Sequence, residues 1–233
     1  MSALSTHNEV TIAATLSTSS PTFVLSSNSP SFEIFVHARL VQSTRPGQSI
    51  TMAIDDTAFE GTDVTKGFNA IAIGAFGPGF ISTHDPERVI SFGVAKPHYS
   101  QANLHKPNLH ERGFHFLTVP VSGEEVTVSH KLCLDQLFKS SGLRHRGELL
   151  PGEIFQFKLS PGRLQPQWWC WGDLQGNLKG KNLHAWAKGG SYLSYYEEPP
   201  SEEEIEEGGY VLGEDADRIK IEDHTGWIEV EMG

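Results

Sequence analysis

Apolar and polar residues alternate along several short stretches of this chain, with the two-residue period of half-buried β-strands. The clearest stretch begins at Phe32, after which every second residue up to Leu40 is apolar. Another, residues 153–159, alternates in the same way and lies between the turn signals Pro151-Gly152 and Pro161-Gly162. Strands framed by turns in this manner predict an all-β protein.

Further strand-like stretches follow the same pattern, and most gaps between them contain Gly, Pro, Asn or Asp. They cover residues 10–16, 50–54, 68–73, 88–94, 113–119 and 126–132. Many short strands of this kind favour a two-sheet sandwich. The best helical pattern, at residues 132–138, predicts one or two turns of helix. The gaps 74–86 and 96–112 exceed the usual hairpin length, so both are candidate binding loops.

The stretch from Leu149 to Asp173 is the best-specified part of the chain, and it contains three tryptophans in four residues. In a strand, Trp169 and Trp171 share one face, while Trp168 shares the other face with Cys170. This arrangement favours packing of the indoles in a core between sheets. The alternative is an exposed platform that stacks on a sugar ring or on another flat or cationic ligand. The three tryptophans are therefore candidate ligand-binding residues.

Three motifs together resemble a broad group of uncharacterised filamentous-fungal proteins. They are the strand entry Pro30-Ser31-Phe32, the stretch Leu149-x-Pro151-Gly152-Glu153-x-Phe155 and the run Trp168-Trp169-x-Trp171-Gly172. The resemblance covers roughly residues 20–190. It implies an intracellular all-β fold that is distantly similar to immunoglobulin-like or arrestin-like sandwiches. It implies no chemistry and carries over no catalytic residue.

The net charge of −11 is concentrated near the C-terminus. Residues 197–233 carry 14 acidic and 2 basic side chains, whereas residues 1–196 carry 15 acidic and 16 basic ones. Within residues 1–196, the span 131–188 contains nine basic and four acidic side chains. A chain with this much acid is a poor general binder of nucleic acid, so no nucleic-acid partner is expected. The basic span is a candidate contact surface, represented by Arg144, Arg146, Lys179 and Lys181.

The sequence predicts four segments and an acidic C-terminal extension. Residues 1–20 form a frayed, Ser/Thr-rich N-terminus with an edge strand, and residues 21–196 form the sandwich. We expect residues 1–196 to fold alone. Residues 197–217 are typical of a mobile acidic linker, and the alternating runs in residues 218–233 predict a β-hairpin. The extension is expected either to shield the basic surface or to stay solvated and aid solubility.

Histidines are the first candidates for chemistry. Four of them fall in one loop-and-strand region: His98, His105, His110 and His115. Their spacing matches no metal-binding motif, so neither a metal site nor a cofactor is predicted. Nucleophile-elbow, dinucleotide and phosphate-loop motifs do not occur in the sequence, so no catalytic residue is predicted. An acid–base pair brought together by the fold is an alternative, with these candidates: His84, Asp85, Glu124, Glu125 and His130.

Cysteine usage favours a reducing compartment, since Cys133 and Cys170 are the only cysteines and no Asn-x-Ser/Thr acceptor occurs. Two free thiols are expected, with one disulfide as the alternative. No apolar run suits a signal peptide or a membrane span, so we expect a soluble cytoplasmic or nuclear protein without membrane contact. The expected function is a non-enzymatic interaction module for a protein partner. The alternatives are a carbohydrate or small-molecule binder that uses the tryptophans, and an enzyme with an unrecognised histidine–carboxylate site.

Overall fold

Strands dominate the part of the chain that the structure describes. The computed structural model describes residues 8–25, 32–61, 74–92, 103, 105–121, 123–132, 134, 137, 148–190, 193 and 199–233. The strands are β1 (Val10–Thr18), β2 (Thr22–Phe23), β3 (Phe32–Ser43), β4 (Ile50–Ala53), β5 (Phe80–Ser82), β6 (Val89–Ile90), β7 (Phe116–Val119), β8 (Val126–Leu132), β9 (Ile154–Phe157), β10 (Trp169–Trp171), β11 (Asn182–Ala187), β12 (Tyr210–Gly213), β13 (Ile219–Asp223) and β14 (Ile228–Met232). An α-helix, Glu202–Gly208, is called the acidic helix below, and 3-10 turns cover Pro161–Arg163 and Ala216–Arg218. The predicted all-β class is confirmed.

Among the residues described, no helix combines the length and the apolar character that crossing a bilayer requires.

The described strands form four hydrogen-bonded sheets. The two larger ones have the orders β13-β1-β3-β8 and β2-β14-β9-β5-β6. A three-stranded sheet, β10-β4-β7, and the pair β11-β12 complete the set. Most pairs are antiparallel, but β13 on β1, β14 on β2 and β12 on β11 are parallel. Each of these parallel pairs joins a C-terminal strand to an earlier part of the chain.

The two larger sheets contribute to one main core. Phe32, Ile34 and Val36 are buried along one face of β3, as the sequence alternation predicts. Phe155 and Phe157 of β9 are buried in the same cluster, although β9 belongs to the other large sheet. The predicted strand between the two Pro-Gly turns therefore supplies aromatic side chains to the centre of the protein.

The tryptophan run lies between this main core and a second one. Trp169 and Trp171 belong to the main core, whereas Trp168 and Cys170 belong to a second cluster that includes Leu183 of β11. This is the division of faces that strand alternation predicts. The second core connects the tryptophan run to β11 and β12.

Cys170 is unpaired and buried, in agreement with the predicted free thiol. Burial raises the pKa of the Cys170 thiol to about 12. A thiol that stays protonated is a poor nucleophile, so Cys170 is a packing residue. Cys133 lies outside the described residues.

The predicted C-terminal hairpin is wrong. Strand β13 pairs with β1 and β14 pairs with β9, in different sheets. An isolated hairpin leaves one face wet, whereas here Ile221 of β13 and Val230 of β14 are both buried in the main core. Residues 197–217 are also predicted to be a linker, whereas residues 199–217 contain the acidic helix and β12.

Three other predictions meet different outcomes. Strand β1 is not an edge strand, because it lies between β13 and β3. Strand β5 lies inside the gap 74–86, and its three residues are too few to show a clear period. The predicted strand at residues 68–73 and most of the predicted helix at 132–138 lie outside the described residues.

His130 is a titratable side chain buried in the main core. Its Nε2–H donates to the carbonyl oxygen of Ala58 at 2.8 Å, and its ring packs edge-on against Phe76 with 5.0 Å between centroids. Burial lowers the pKa of His130 to about 4. The folded protein therefore holds this imidazole uncharged at neutral pH.

Removing the C-terminal strands should abolish cooperative unfolding, contrary to the expectation for residues 1–196. A chain ending at residue 198 loses four buried core side chains: Ile219, Ile221, Val230 and Met232. Each such loss costs about 2–5 kcal/mol, so their sum rivals the whole stability of an ordinary domain. Urea unfolding followed by circular dichroism provides the measurement. As a control, Gln at the exposed positions Glu202, Glu203 and Glu206 removes charge without removing strands and should leave the transition cooperative. A cooperative transition in the shortened chain would show that the extension is dispensable.

The free energy of unfolding should fall as pH drops from about 6.5 to about 4, the window between the unfolded and folded pKa of His130. The unfolded chain binds a proton there that the folded chain excludes, and the loss amounts to about 3 kcal/mol. Burial raises the pKa of Asp56 and Glu60, which acts in the opposite direction, so a comparison with a variant is needed. His130→Gln retains an N–H donor but does not titrate. Urea unfolding across this window should show a shallower decline for the variant, and identical declines would contradict the assignment.

Candidate functional site

The three candidate tryptophans are buried: Trp168 and Trp169 are inaccessible and Trp171 is 8% exposed. The Nε1–H of Trp168 donates to the carbonyl oxygen of His184 at 2.9 Å. The Nε1–H of Trp169 donates to the carbonyl oxygen of Asp215, also at 2.9 Å. Burial leaves no face of either indole open to a ligand, so these side chains are core residues, as the favoured interpretation predicts.

The predicted basic surface is described only in part. Lys179 and Lys181 are exposed, whereas Arg144 and Arg146 lie outside the described residues. The basic span does touch the acidic extension, but through Lys188, whose Nζ lies 2.9 Å from Oε2 of Glu214. Shielding of Lys179 and Lys181 by the extension stays a prediction.

Among the described residues, the one group of three or more side chains that could hold a metal ion contains a single candidate histidine, His115. His98 lies outside the described residues, and the ring of His110 packs edge-on against an aromatic side chain. His115 joins two acids that sequence reasoning did not select. Its Nδ1 lies 3.0 Å from Oδ1 of Asp55, and the three side-chain ligand atoms of Asp55, Glu60 and His115 lie within 4.8 Å of one another.

Internal hydrogen bonds account for this histidine–carboxylate cluster. The amide of His115 donates to Oδ2 of Asp55 at 2.8 Å, and the amide of Asp56 donates to Oε2 of Glu60 at 2.8 Å. Asp56 has a φ of 62°, a left-handed conformation that the surrounding bonds must hold. The cluster therefore serves to fix the loop that follows β4.

The predicted acid–base candidates are dispersed. His130 is in the core, and Nδ1 of His84 contacts the hydroxyl of its neighbour Thr83 at 3.2 Å. Oε1 of Glu125 lies 3.0 Å from Nδ1 of His37, which the sequence did not single out. The fold thus pairs one predicted carboxylate with an unexpected histidine.

A cleft of about 600 Å³ opens beside the acidic helix. Segments that are distant in the sequence supply its lining: Pro107, His184, Pro199, Pro200, Glu204, Glu207, Gly208 and Tyr210. The volume is typical of a pocket for a small ligand or for one or two side chains. Two described lining residues are glutamates, and none of the described lining residues is Lys or Arg. The cleft therefore combines acidic, aromatic and proline surfaces.

His184 and Tyr210 meet edge-on at the cleft, with 5.0 Å between ring centroids. The amide of Trp186 donates to Nδ1 of His184 at 2.9 Å, which places the proton of the neutral ring on Nε2. Burial, followed by the charge of Arg112, lowers the pKa of His184. The imidazole is thus uncharged at neutral pH and does not repel a cation.

Both ends of the acidic helix are fixed by local sequence. The Ser201 hydroxyl accepts the amide of Glu204 at 3.2 Å, and the Glu204 carboxylate accepts the amide of Ser201 at 2.8 Å. This reciprocal pair is a capping box. The bond from the Ser201 amide lowers the pKa of Glu204, so the carboxylate stays anionic. Gly209 ends the helix in the left-handed conformation, with φ 57°.

Strand β11 holds the other end of the helix in place. The Nδ2–H of Asn182 donates to the carbonyl oxygen of Gly208 at 2.7 Å, and Nδ2–H of Asn108 donates to Oδ1 of Asn182 at 2.9 Å. A Cβ added at Gly208 would lie 2.0 Å from Cε2 of Tyr210, so only glycine fits beneath that ring. These contacts set the position of the glutamates against the aromatic rings.

Sequence reasoning missed the cleft because it assigned residues 197–217 to a linker. A signal was present, since Ser201-Glu202-Glu203-Glu204 has the spacing of a capping box. The following Gly208-Gly209 suits a helix end. The long-range partners His184 and Pro107 had no such local signal.

Comparison with protein-family models, with curated proteins and with solved structures finds no match to this chain. The geometry of the cleft is therefore what points to a function.

Replacing Trp169 by Ala should lower the free energy of unfolding by about 3–5 kcal/mol, the usual range for a large aromatic in a packed interior. The change also removes the hydrogen bond to Asp215. Trp227 provides a matched control, because it is 44% exposed and Nζ of Lys158 lies over its ring, 4.7 Å from the centroid. Trp227→Ala should cost less than about 1 kcal/mol. Urea unfolding measures both, and equal small losses would mean that Trp169 is not a core residue.

Proposed function

We propose that this protein is an interaction module that binds a positively charged segment of a partner protein in the cleft beside the acidic helix. The observation that carries the proposal is the convergence of Glu204 and Glu207 with the rings of Tyr210 and His184 on one cleft. Carboxylates attract a Lys or Arg head group, and an aromatic face packs on its stem or its charge. The bound segment is therefore expected to present a Lys or Arg side chain.

The surroundings of the cleft support a cationic ligand over an anionic one. The first turn of the helix adds Glu202 and Glu203 beside the lining Glu204. Glu197 and Glu198 directly precede the lining prolines in the sequence. Many like charges attract cations from a distance, which speeds encounter and makes it sensitive to salt.

The rival function, a carbohydrate or small-molecule binder that uses Trp168, Trp169 and Trp171, finds no support in their burial. The cleft offers Tyr210 as its described aromatic surface instead. A small organic cation is the alternative ligand that the same chemistry allows, and the experiment below separates it from a peptide.

We also propose that the two larger sheets stack as an immunoglobulin-like or arrestin-like sandwich. The burial of Ile34 from one sheet and Phe157 from the other in a single core supports this arrangement. An intracellular location, cytoplasmic or nuclear, is part of the proposal. The unpaired Cys170 and the lack of Asn-x-Ser/Thr sites favour it.

A short blocked peptide with a central Arg-Lys pair should bind the cleft, and the same peptide with Gln at both positions should not. Backbone-amide NMR titration of the full chain should show shifts at Tyr210 and at residues around His184. Glu207→Gln should weaken binding by about 1.4- to five-fold, since exposed charge pairs are worth ~0.2–1 kcal/mol. Added salt should weaken it further.

Glu203→Gln is the control, because Glu203 lies exposed on the same helix but does not line the cleft. It removes the same charge and should have the smaller effect. Equal binding of the two peptides, shifts away from the cleft, or equal effects of the two variants would each contradict the proposal. Binding of free arginine amide as tight as that of the peptide would assign the cleft to a small cation.

A further inference from the structure

A serine and a histidine on the outer face of the sheet β13-β1-β3-β8 lie next to a glutamate that directly precedes β8, and none of the three is a described lining residue of the cleft. Oγ of Ser17 lies 2.7 Å from Nε2 of His37. On the other side of the ring, Nδ1 of His37 lies 3.0 Å from Oε1 of Glu125 and 2.9 Å from Oγ1 of Thr127. The hydroxyl of Ser17 and the imidazole of His37 are thus hydrogen-bonded, and the carboxylate of Glu125 lies at ion-pair distance on the far side of the ring.

Strand register explains how residues so distant in the sequence meet. His37 is on the outward face of β3, since its neighbours Val36 and Ala38 are buried on the inner face. Thr127 of β8 is directly opposite His37, and Ser17 of β1 is diagonal to it, because Thr15 is the residue opposite. Diagonal neighbours on one sheet face are within reach of a ring.

The neighbours of the ring favour one tautomer. The negative charge of Glu125, 3.0 Å from Nδ1, favours the ring proton on that nitrogen when His37 is neutral, and Nδ1–H then donates to the hydroxyl oxygen of Thr127. Nε2 then has a lone pair and accepts the hydroxyl proton of Ser17. This is the tautomer that a general base requires. The side chain of His37 is 18% exposed, so the ring is held by the sheet yet reachable from solvent.

We propose that Ser17, His37 and Glu125 form a nucleophilic site for acyl transfer from activated esters. Ser17 Oγ bonds to the acyl carbon while His37 Nε2 takes the hydroxyl proton. The bond from the acyl carbon to the leaving group breaks, C–O in an ester or C–S in a thioester, and the alcohol or thiol leaves with the proton that His37 returns. Water then cleaves the acyl-serine, with His37 again taking and returning a proton, and the carboxylic acid is released. Glu125 is a positioning residue that orients the ring.

The class of acyl donor follows from the backbone around Ser17. The amide of Leu16 donates to the hydroxyl of Thr225 at 2.6 Å, and the amide of Ser19 donates to the carbonyl oxygen of Glu33 at 2.9 Å. These donors are engaged in the fold and do not serve a developing oxyanion. Aryl esters and thioesters have good leaving groups and need less oxyanion stabilisation than amides. The site therefore takes activated esters and does not cleave peptide bonds.

Labelling with a fluorophosphonate probe, located by peptide mass spectrometry, tests the site in the full-length folded protein. The adduct is expected on Ser17, and Ser17→Ala should remove it together with the hydrolysis of p-nitrophenyl acetate. His37→Gln should slow labelling by about 100-fold or more, the usual contribution of a general base. Glu125→Gln should also slow labelling, and the conservative variant Glu125→Asp should restore part of the rate, which a merely structural role would not produce.

Ser129 is the matched control hydroxyl. It lies on the outer face of the same sheet, but its Oγ–H donates to Oε2 of Glu33 at 2.8 Å, with no histidine between them. Ser129→Ala should leave labelling and hydrolysis unchanged. Circular dichroism and urea unfolding confirm that each variant is folded. The absence of an adduct on Ser17, equal labelling of Ser17 and Ser129, or unchanged hydrolysis by Ser17→Ala would overturn the proposal without affecting the cleft.

Discussion

Burial of two adjacent tryptophans is the constraint on which the rest of this structure depends. Trp168 directly precedes β10, Trp169 begins it, and the two belong to different core clusters, so each indole needs its own hydrogen-bond acceptor. The acceptors are backbone carbonyl oxygens of His184 and Asp215, far along the chain. A buried N–H without a partner is costly, so this requirement ties β11 and the C-terminal segment to the centre of the protein. Gly213 fits the same arrangement, because a Cβ there would lie 2.4 Å from Nε1 of Trp168.

The acidic extension also belongs to the fold because its side chains are buried. Its strands complete sheets that begin near the N-terminus, and its apolar side chains enter the main core. Charge contributes less to this attachment, since the pairs Lys188–Glu214 and Arg218–Glu9 are at the surface and have small expected worth. The negative charge instead makes the surface of the acidic helix attractive to cations. Docked through Asn182 and Tyr210, that helix presents glutamates to a cleft whose aromatic wall is formed by Tyr210 and His184.

The two proposed sites use different parts of this scaffold. The cleft is a concave surface between segments, suited to holding a charged side chain, and its shape depends on the C-terminal segment. Ser17 and His37 lie on a sheet face, where strand pairing fixes their relative positions, and Glu125 directly precedes β8. Rigid strands hold side chains more precisely than loops do, which favours chemistry there and recognition at the cleft.

Local pattern in the sequence determined the all-β class, strands β3, β8 and β9, and the division of the tryptophans between two faces. Each of these follows from side chains that alternate along a few consecutive residues. The capping box of the acidic helix was also readable in the same way. Only the tertiary structure decided which strands pair. Strands β13 and β14 are adjacent in the sequence but pair with β1 and β9, because these positions bury Ile221 and Val230 in the main core. The cleft and the Ser17–His37–Glu125 group also depend on long-range contacts between elements, since their members are separated by up to about 100 residues of chain. Proximity of this kind has no local signature, whereas periodicity does.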